Sequence, residues 1–126
     1  MDANRQSVWF FRQAVVYAVL GPLLGLYMGI AGDFAQISTH AHINLVGWVS
    51  MAVWSFAYRA WPALGGNLLA MAHFALASGG VPVMVAGIFL IHVDSPAGGP
   101  VVGIGSIIVL AAFACFAANT LLKVRA

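Results

Sequence analysis

Two histidines enter an apolar run of the chain in the segment THAHINLVGW, residues 39–48. The run continues to about Ala60 and is long enough to cross a lipid bilayer. An ionisable or strongly polar side chain inside the hydrocarbon layer is costly, so it indicates a functional site with a partner close by. His40 and His42 are therefore the first candidates for a site in this chain.

The composition is that of an integral membrane protein. Of the 126 residues, 63% are hydrophobic and 6% are charged, which leaves too little polar surface to coat a soluble globular domain. Five Lys and Arg residues do not provide the clustered basic face of a nucleic-acid-binding protein. The single cysteine, Cys115, can build neither a disulfide framework nor a cysteine-based metal motif.

Four apolar segments, each close to the twenty residues that a bilayer requires, predict an all-α protein with four transmembrane helices. The predicted limits are about residues 14–31, 37–60, 68–91 and 101–122, in a single domain of residues 1–126. Trp61-Pro62 and the Pro/Gly-rich segment 94–100 separate the later helices. The first segment is interpreted as a retained helix because it is long for the core of a secretory signal.

All the positive charges fall at one end of these four predicted helices, whereas Asp33 and Asp94 fall at the other. By the positive-inside rule both termini are expected in the cytoplasm, in a multi-pass protein of the bacterial cytoplasmic membrane. His40 and His42 then lie near the outer, periplasmic face. The five positive residues are Arg5, Arg12, Arg59, Lys123 and Arg125.

The first helix carries a strip of small residues, with a glycine at every fourth position from residue 21 to residue 29. Such a strip lets another helix backbone approach closely. The partner is either another helix of the same chain or a neighbouring subunit. The three glycines are Gly21, Gly25 and Gly29.

His40 and His42 cannot bind one metal ion together, because residues two apart on an α-helix differ by about 200° in direction. The helix face of His40 is small and polar, and the face of His42 is an apolar wall against which a flat macrocycle can pack. Either each histidine binds its own centre, or one binds and the other only forms a hydrogen bond. The first face continues through Asn44, Gly47 and Met51, and the second through Val46, Val49 and Val53.

Haem is the cofactor that this residue set favours. A structural zinc site needs four ligands and usually some thiolate or carboxylate, and none is near the pair. A porphyrin supplies four nitrogens itself, so that haem needs only one or two protein ligands. Without a Cys-x-x-Cys-His motif the haem is expected to be non-covalent and of b type. Copper, which also accepts imidazole, is the less favoured choice.

The second and third helices are expected to be antiparallel, so residues at equal depth have numbers that sum to about 126. His42 is then level with Met84, the fallback second axial ligand within one chain; otherwise this ligand comes from another subunit. His73 lies about 16 Å deeper and is either a metal or quinone contact or a core histidine bonded to a backbone carbonyl or to Tyr58. His92 is expected to be solvated in the loop.

Two segments, GIAGDF at residues 29–34 and HAHINLVGW at residues 40–48, resemble subunit I of the haem-copper oxidases, the catalytic subunit of terminal oxidases and nitric oxide reductases. In that family a His-x-His pair binds two haems on opposite faces of one helix, and twelve helices form three arcs of four. The resemblance implies that this chain is like one arc and that it forms a homotrimer. It further implies bis-histidine haem, with His42 of one subunit facing His40 of the next. The residues around the cofactor would be Asn44, Val46, Gly47, Trp48 and Val49.

The chain lacks other parts of that family's machinery. Only His73 and His92 remain where a copper site needs three further histidines, and no acidic residue or lysine lies within the predicted spans. Oxygen reduction or proton pumping is therefore not expected, and the prediction is an electron carrier in the lipid bilayer that exchanges electrons with quinol or a periplasmic donor. Two alternatives stay open. One is a protein that senses or handles NO or O2 at an open haem or copper site, and the other is a non-enzymatic membrane assembly protein.

Overall fold

The structure, a computed structural model, describes residues 1–124 and contains four long helical stretches. They are α1 (Ala3–Ala31), α2 (residues 37–60), α3 (Leu68–Ile91) and α4 (Gly98–Lys123). This part of the chain contains no strand, so the predicted all-α class is confirmed. Arg125, one of the positive charges counted above, lies outside the described residues.

Local sequence signals set the helix ends. The Asp2 carboxylate caps α1 by accepting a hydrogen bond from the backbone N–H of Arg5 at 2.8 Å, and Gly32 ends the helix in the left-handed conformation at φ 65°. The predicted start of the first helix at residue 14 is therefore wrong, because the cap starts it at Ala3. The limits of α2 and α3 coincide with the predicted ones, and α4 begins at Gly98, before the predicted residue 101.

The middle of α2 is a π-helix. Ile43–Ser50 has this form, between α-helical Ile37–His42 and Met51–Ala60. The Ser50 hydroxyl donates a hydrogen bond to the carbonyl of Leu45, five residues earlier, at 2.9 Å. Segments of π-helix are rare and are frequently found at functional sites. This one begins directly after His42.

The helices pack mainly as two antiparallel pairs, α1 with α2 and α3 with α4. The α3–α4 pair is close because it meets at glycines: a Cβ atom on Gly87 would strike the backbone of Val102, and one on Gly105 would strike the backbone of Met84. Small residues at such crossings replace side-chain contact by backbone contact, as is common between membrane helices.

The two ends of the bundle differ in packing. At the end where α1 begins and α4 ends, each helix contributes an aromatic ring to one cluster: Phe10, Trp54, His73 and Phe116. Toward the other end lies a cavity of about 630 Å³, lined mostly by aliphatic side chains from α1, α2 and α3. The molecule is therefore closed and aromatic at one end and open and aliphatic at the other.

The outer surface is apolar. Leu23 on α1, Phe56 on α2 and Leu110 on α4 are 56%, 61% and 70% exposed, and many other large hydrophobic side chains are exposed as well. Three helices, α1, α3 and α4, are each long and apolar enough to cross a membrane. Exposure of this much apolar surface to water is unfavourable, so the exterior is that of a multi-pass membrane protein.

Replacing Gly105 by alanine is expected to destabilise the protein. The added methyl group would meet the backbone of Met84, which cannot move aside like a flexible side chain. Overpacking of this kind costs about 1–3 kcal/mol of unfolding free energy. It would be observed as a lower thermal unfolding midpoint in detergent, followed by circular dichroism. Gly103→Ala is the matched control, because open space surrounds that position on the same helix. Equal midpoints for the two variants would contradict the close α3–α4 contact.

Candidate functional site

His40 lies in the contact between α2 and α1. Its Nδ1 is 2.8 Å from the carbonyl oxygen of Gly21, and its ring packs on Gly25, where an added Cβ would come within 2.8 Å of Cε1. A carbonyl oxygen can only accept, so Nδ1 of the neutral ring carries the proton and donates it. Nε2 is then left as an unprotonated nitrogen, which is the form that binds a metal ion.

Asn44 covers the ring of His40. Its side-chain Nδ2 donates to the backbone carbonyl of His40 at 2.9 Å and lies 3.4 Å from both ring nitrogens, so that the amide sits over the ring face. The amide in turn occupies the space that a side chain on Gly21 would fill. Gly21 and Gly25 thus form intramolecular contacts with α2, the first of the two predicted alternatives, whereas Gly29 has open space around it.

His42 has the same hydrogen-bond pattern with a different partner. Its Nδ1 donates to the carbonyl of Ser38, one turn earlier on α2, at 2.9 Å. Nε2 has no hydrogen-bond partner within residues 1–124, and it is not enclosed by the protein. A ring whose Nδ1–H is fixed by a backbone carbonyl, with Nε2 free, is the usual arrangement of a metal-ligating histidine.

The two histidines lie in different surroundings, as expected for residues that point in nearly opposite directions from one helix. Gly47 and Met51, which follow His40, are buried, and Gly47 packs against the ring of Tyr17 on α1. Val49 and Val53, which follow His42, are 44% and 54% exposed. The face of His40 is therefore internal to the chain, and the face below His42 is partly open.

The other residues predicted around the cofactor are divided between these environments. Trp48 is 43% exposed, and Val46 is half-buried against the core. Met84 belongs to the core at 6% exposure, next to Gly105 of α4. The Gln36 side chain lies 3.4 Å from the carbonyl of Phe89, so α2 and α3 have the predicted antiparallel register at this end. The assignment of Met84 as an axial ligand nevertheless stays a prediction.

His73 lies in the closed, aromatic end of the bundle. It is fully buried, and its Nδ1 forms a hydrogen bond with the Tyr58 hydroxyl at 3.0 Å. The Trp54 ring meets it edge-on at 4.6 Å between centroids, and Phe10 and Phe116 lie at 5.0 and 5.1 Å. Of the alternatives given for this residue, the hydrogen bond to Tyr58 is the contact that the structure contains. Nε2 is buried and has no partner in the described residues.

His92 is exposed at the end of α3, and its Nδ1 donates to the carbonyl of Ile88 at 2.8 Å. This is the same bond to the preceding turn that His42 forms. Within residues 1–124 no group of three His, Cys, Asp or Glu side chains is close enough to hold a metal ion. A centre that draws three such ligands from one chain is therefore not formed by the described residues.

Comparison of the chain with protein-family models, with curated proteins and with solved structures finds no match. These comparisons do not link the chain to subunit I of the haem-copper oxidases, and the resemblance of residues 29–34 and 40–48 to that subunit stays a prediction.

Several features of the site could not be found in the sequence pattern. The π-helix after His42 has no residue signature, and the bond from His40 to Gly21 depends on the register of α1 against α2. The bond from His42 to the carbonyl of Ser38 could be expected from the spacing, since a polar side chain on a helix can reach the carbonyl four residues earlier. That local bond leaves Nε2 as the part of the ring available to a partner.

Proposed function

We propose that this protein is a haem-b-binding membrane protein that carries electrons, with His42 as an axial ligand of the iron. The observation that supports the proposal is the state of the His42 ring, in which Nδ1 donates to Ser38 and Nε2 is open. The exposed Val49 and Val53 offer apolar surface below it for a macrocycle. Bound haem would supply an iron that changes reversibly between two oxidation states.

The proposed topology has four membrane spans with both termini in the cytoplasm of a bacterial cell. The joined stretch of α2, residues 37–60, is as long as α3. Arg5, Arg12, Arg59 and Lys123 would lie on the inner side. His42 would then lie near the outer face, within reach of a quinol or a periplasmic electron donor.

The second axial ligand is proposed to be His40 of another copy of the chain, in a homotrimer. Both rings have Nδ1–H fixed by backbone carbonyls, which leaves Nε2 as the nitrogen that can bind iron; at His40 the Asn44 amide would have to move away from it. They cannot do so to one iron within one chain, since they point to opposite faces. Two ligands would saturate the iron and favour electron transfer over gas binding.

One observation favours the second candidate function, the binding of NO or O2 at an open position. Asn44 covers the ring of His40 and Gly25 supports it from α1, so only the Nε2 of His42 is open in a single chain. If His40 stays covered, haem on His42 keeps one iron position free.

Absorption spectra of the purified protein, with and without dithionite, test the proposal. A sharp low-spin haem b spectrum, with about one haem per chain by pyridine haemochrome and no change on adding CO, is the expected result. A large shift of the Soret band on adding CO would indicate an open iron position, and it would favour gas binding over electron transfer as the function. Colourless protein from haem-replete cells would contradict both and favour the assembly protein.

A further inference from the structure

A second polar region, remote from the histidine pair, lies in a groove of about 420 Å³ between α1 and α2. It is at the closed end of the bundle, where α1 begins and α2 ends. Two arginines, Arg12 from α1 and Arg59 from α2, line this groove. Neither the haem proposal nor the aromatic core uses them.

Within residues 1–124, the groove carries positive charge without a counter-charge among its lining residues. None of the three aspartates of the chain lines it: Asp2 caps α1, and Asp33 and Asp94 follow α1 and α3 at the far end. The Arg59 guanidinium donates to the neutral amide oxygen of Asn4. Uncompensated guanidinium groups in a cleft attract an anion, and phosphate matches their geometry.

Two features favour a position of these charges near the lipid headgroups. The Arg12 guanidinium is stacked over the Trp9 ring, 5.1 Å from its centroid, so the side chain reaches back one turn toward the end of the bundle. Arginines near the ends of membrane helices extend in this way toward the polar interface. Trp9, near the start of α1, and Trp61, after the end of α2, are 42% and 49% exposed, and exposed tryptophans concentrate at the membrane interface.

The remaining walls of the groove suit a lipid better than a free anion. Phe11 and Phe56 are 47% and 61% exposed, and their ring centroids are 6.1 Å apart. The buried hydroxyls of Ser7 and Ser55 form a hydrogen bond with each other at 3.3 Å, so the polar groups at the floor of the groove already have partners. A free phosphate would leave the aromatic walls uncovered, whereas an acyl chain would cover them.

We propose that this groove binds an anionic phospholipid, with its phosphate held by Arg12 and Arg59 and an acyl chain along Phe11 and Phe56. An anionic lipid is favoured over a zwitterionic one because the ammonium of the latter would add positive charge beside two arginines. Basic pockets between membrane helices commonly hold such headgroups on the cytoplasmic side. The proposal does not depend on haem.

The test compares lipid retention on the full chain by native mass spectrometry, from nanodiscs containing phosphatidylglycerol or phosphatidylcholine. Wild-type protein is expected to retain phosphatidylglycerol preferentially. The double variant Arg12→Gln/Arg59→Gln is expected to bind it roughly 30-fold more weakly, at about 1 kcal/mol per arginine. Arg5→Gln/Lys123→Gln is the matched control, since it removes the same charge from residues outside the groove. Circular dichroism verifies that both variants are folded.

The outcomes separate the sources of the phosphate. Displacement of the lipid by millimolar inorganic phosphate would show an anion site without a lipid and overturn the proposal. So would equal retention of both lipids, or equal losses in the groove variant and the control variant. If the groove variant is not folded, Arg12→Lys/Arg59→Lys replaces it. That variant is expected to keep a weaker preference for phosphatidylglycerol, because lysine cannot reproduce the two parallel hydrogen bonds of a guanidinium to a phosphate. A preference as strong as that of the wild-type protein would contradict the proposed role of the guanidinium groups.

Discussion

Haem content is expected to fall by more than about tenfold when His42 is replaced by alanine, because the variant loses the ring with the open Nε2. The measurement is the pyridine haemochrome yield per chain after identical purification. External imidazole is expected to restore the low-spin spectrum, since it can occupy the space that the side chain leaves.

His92→Ala is the matched control for this prediction. Its ring also bonds through Nδ1 to the carbonyl four residues earlier, but it lies exposed at the end of α3. The control variant is expected to keep its full haem content. Full haem content in the His42→Ala protein would contradict the assignment of His42 as an axial ligand. Loss of haem from both variants would indicate a general defect in folding or haem supply.

His40→Ala then separates the two candidate functions. If His40 of another copy is the second axial ligand of the iron, this variant keeps some haem but binds CO, because one coordination position of the iron becomes free. If the position is already open, the spectrum and the CO response stay as in the wild-type protein. In both cases the variant loses a contact with Gly21, so its stability is measured alongside.

The helix limits could be predicted largely from the sequence, because strong breakers mark them. Pro62 follows the end of α2, and residues 92–97, which include Pro96, separate α3 from α4. Hydropathy does not mark the start of α1, because Arg5 and Arg12 interrupt the apolar pattern there. A charged first turn is compatible with a helix that leaves the hydrocarbon layer, and the cap at Asp2 was the signal available.

The opposed surroundings of His40 and His42 were predictable because they follow from helix periodicity alone. Their partners were not, since the carbonyl of Gly21 reaches His40 only through the register of two helices far apart in sequence. The same holds for the π-helix, whose shift by one residue per turn leaves no pattern of residue types. Tyr58 is one of the two predicted partners of His73, and the structure contains this bond, but the rings from α1 and α4 around the pair depend on tertiary packing.

His73 is expected to be a structural residue, and His73→Ala is expected to lower the unfolding free energy by about 3–5 kcal/mol. The change would remove a fully buried ring from contact with Trp54 and Phe10 and leave the Tyr58 hydroxyl without its partner. Chemical unfolding in detergent, followed by circular dichroism, measures the loss. Haem content is expected to stay unchanged under folding conditions.

A double-mutant cycle on the same pair gives the sharper test. Tyr58→Phe and His73→Phe each leave one buried polar group unpaired, so each is expected to cost about 1–3 kcal/mol. The double variant removes both groups at once, and its cost is expected to be well below the sum of the single costs. Additive costs would show that the hydrogen bond contributes little. Loss of haem in His73→Phe without loss of stability would instead make this residue a ligand, because a purely structural ring has no other route to the cofactor.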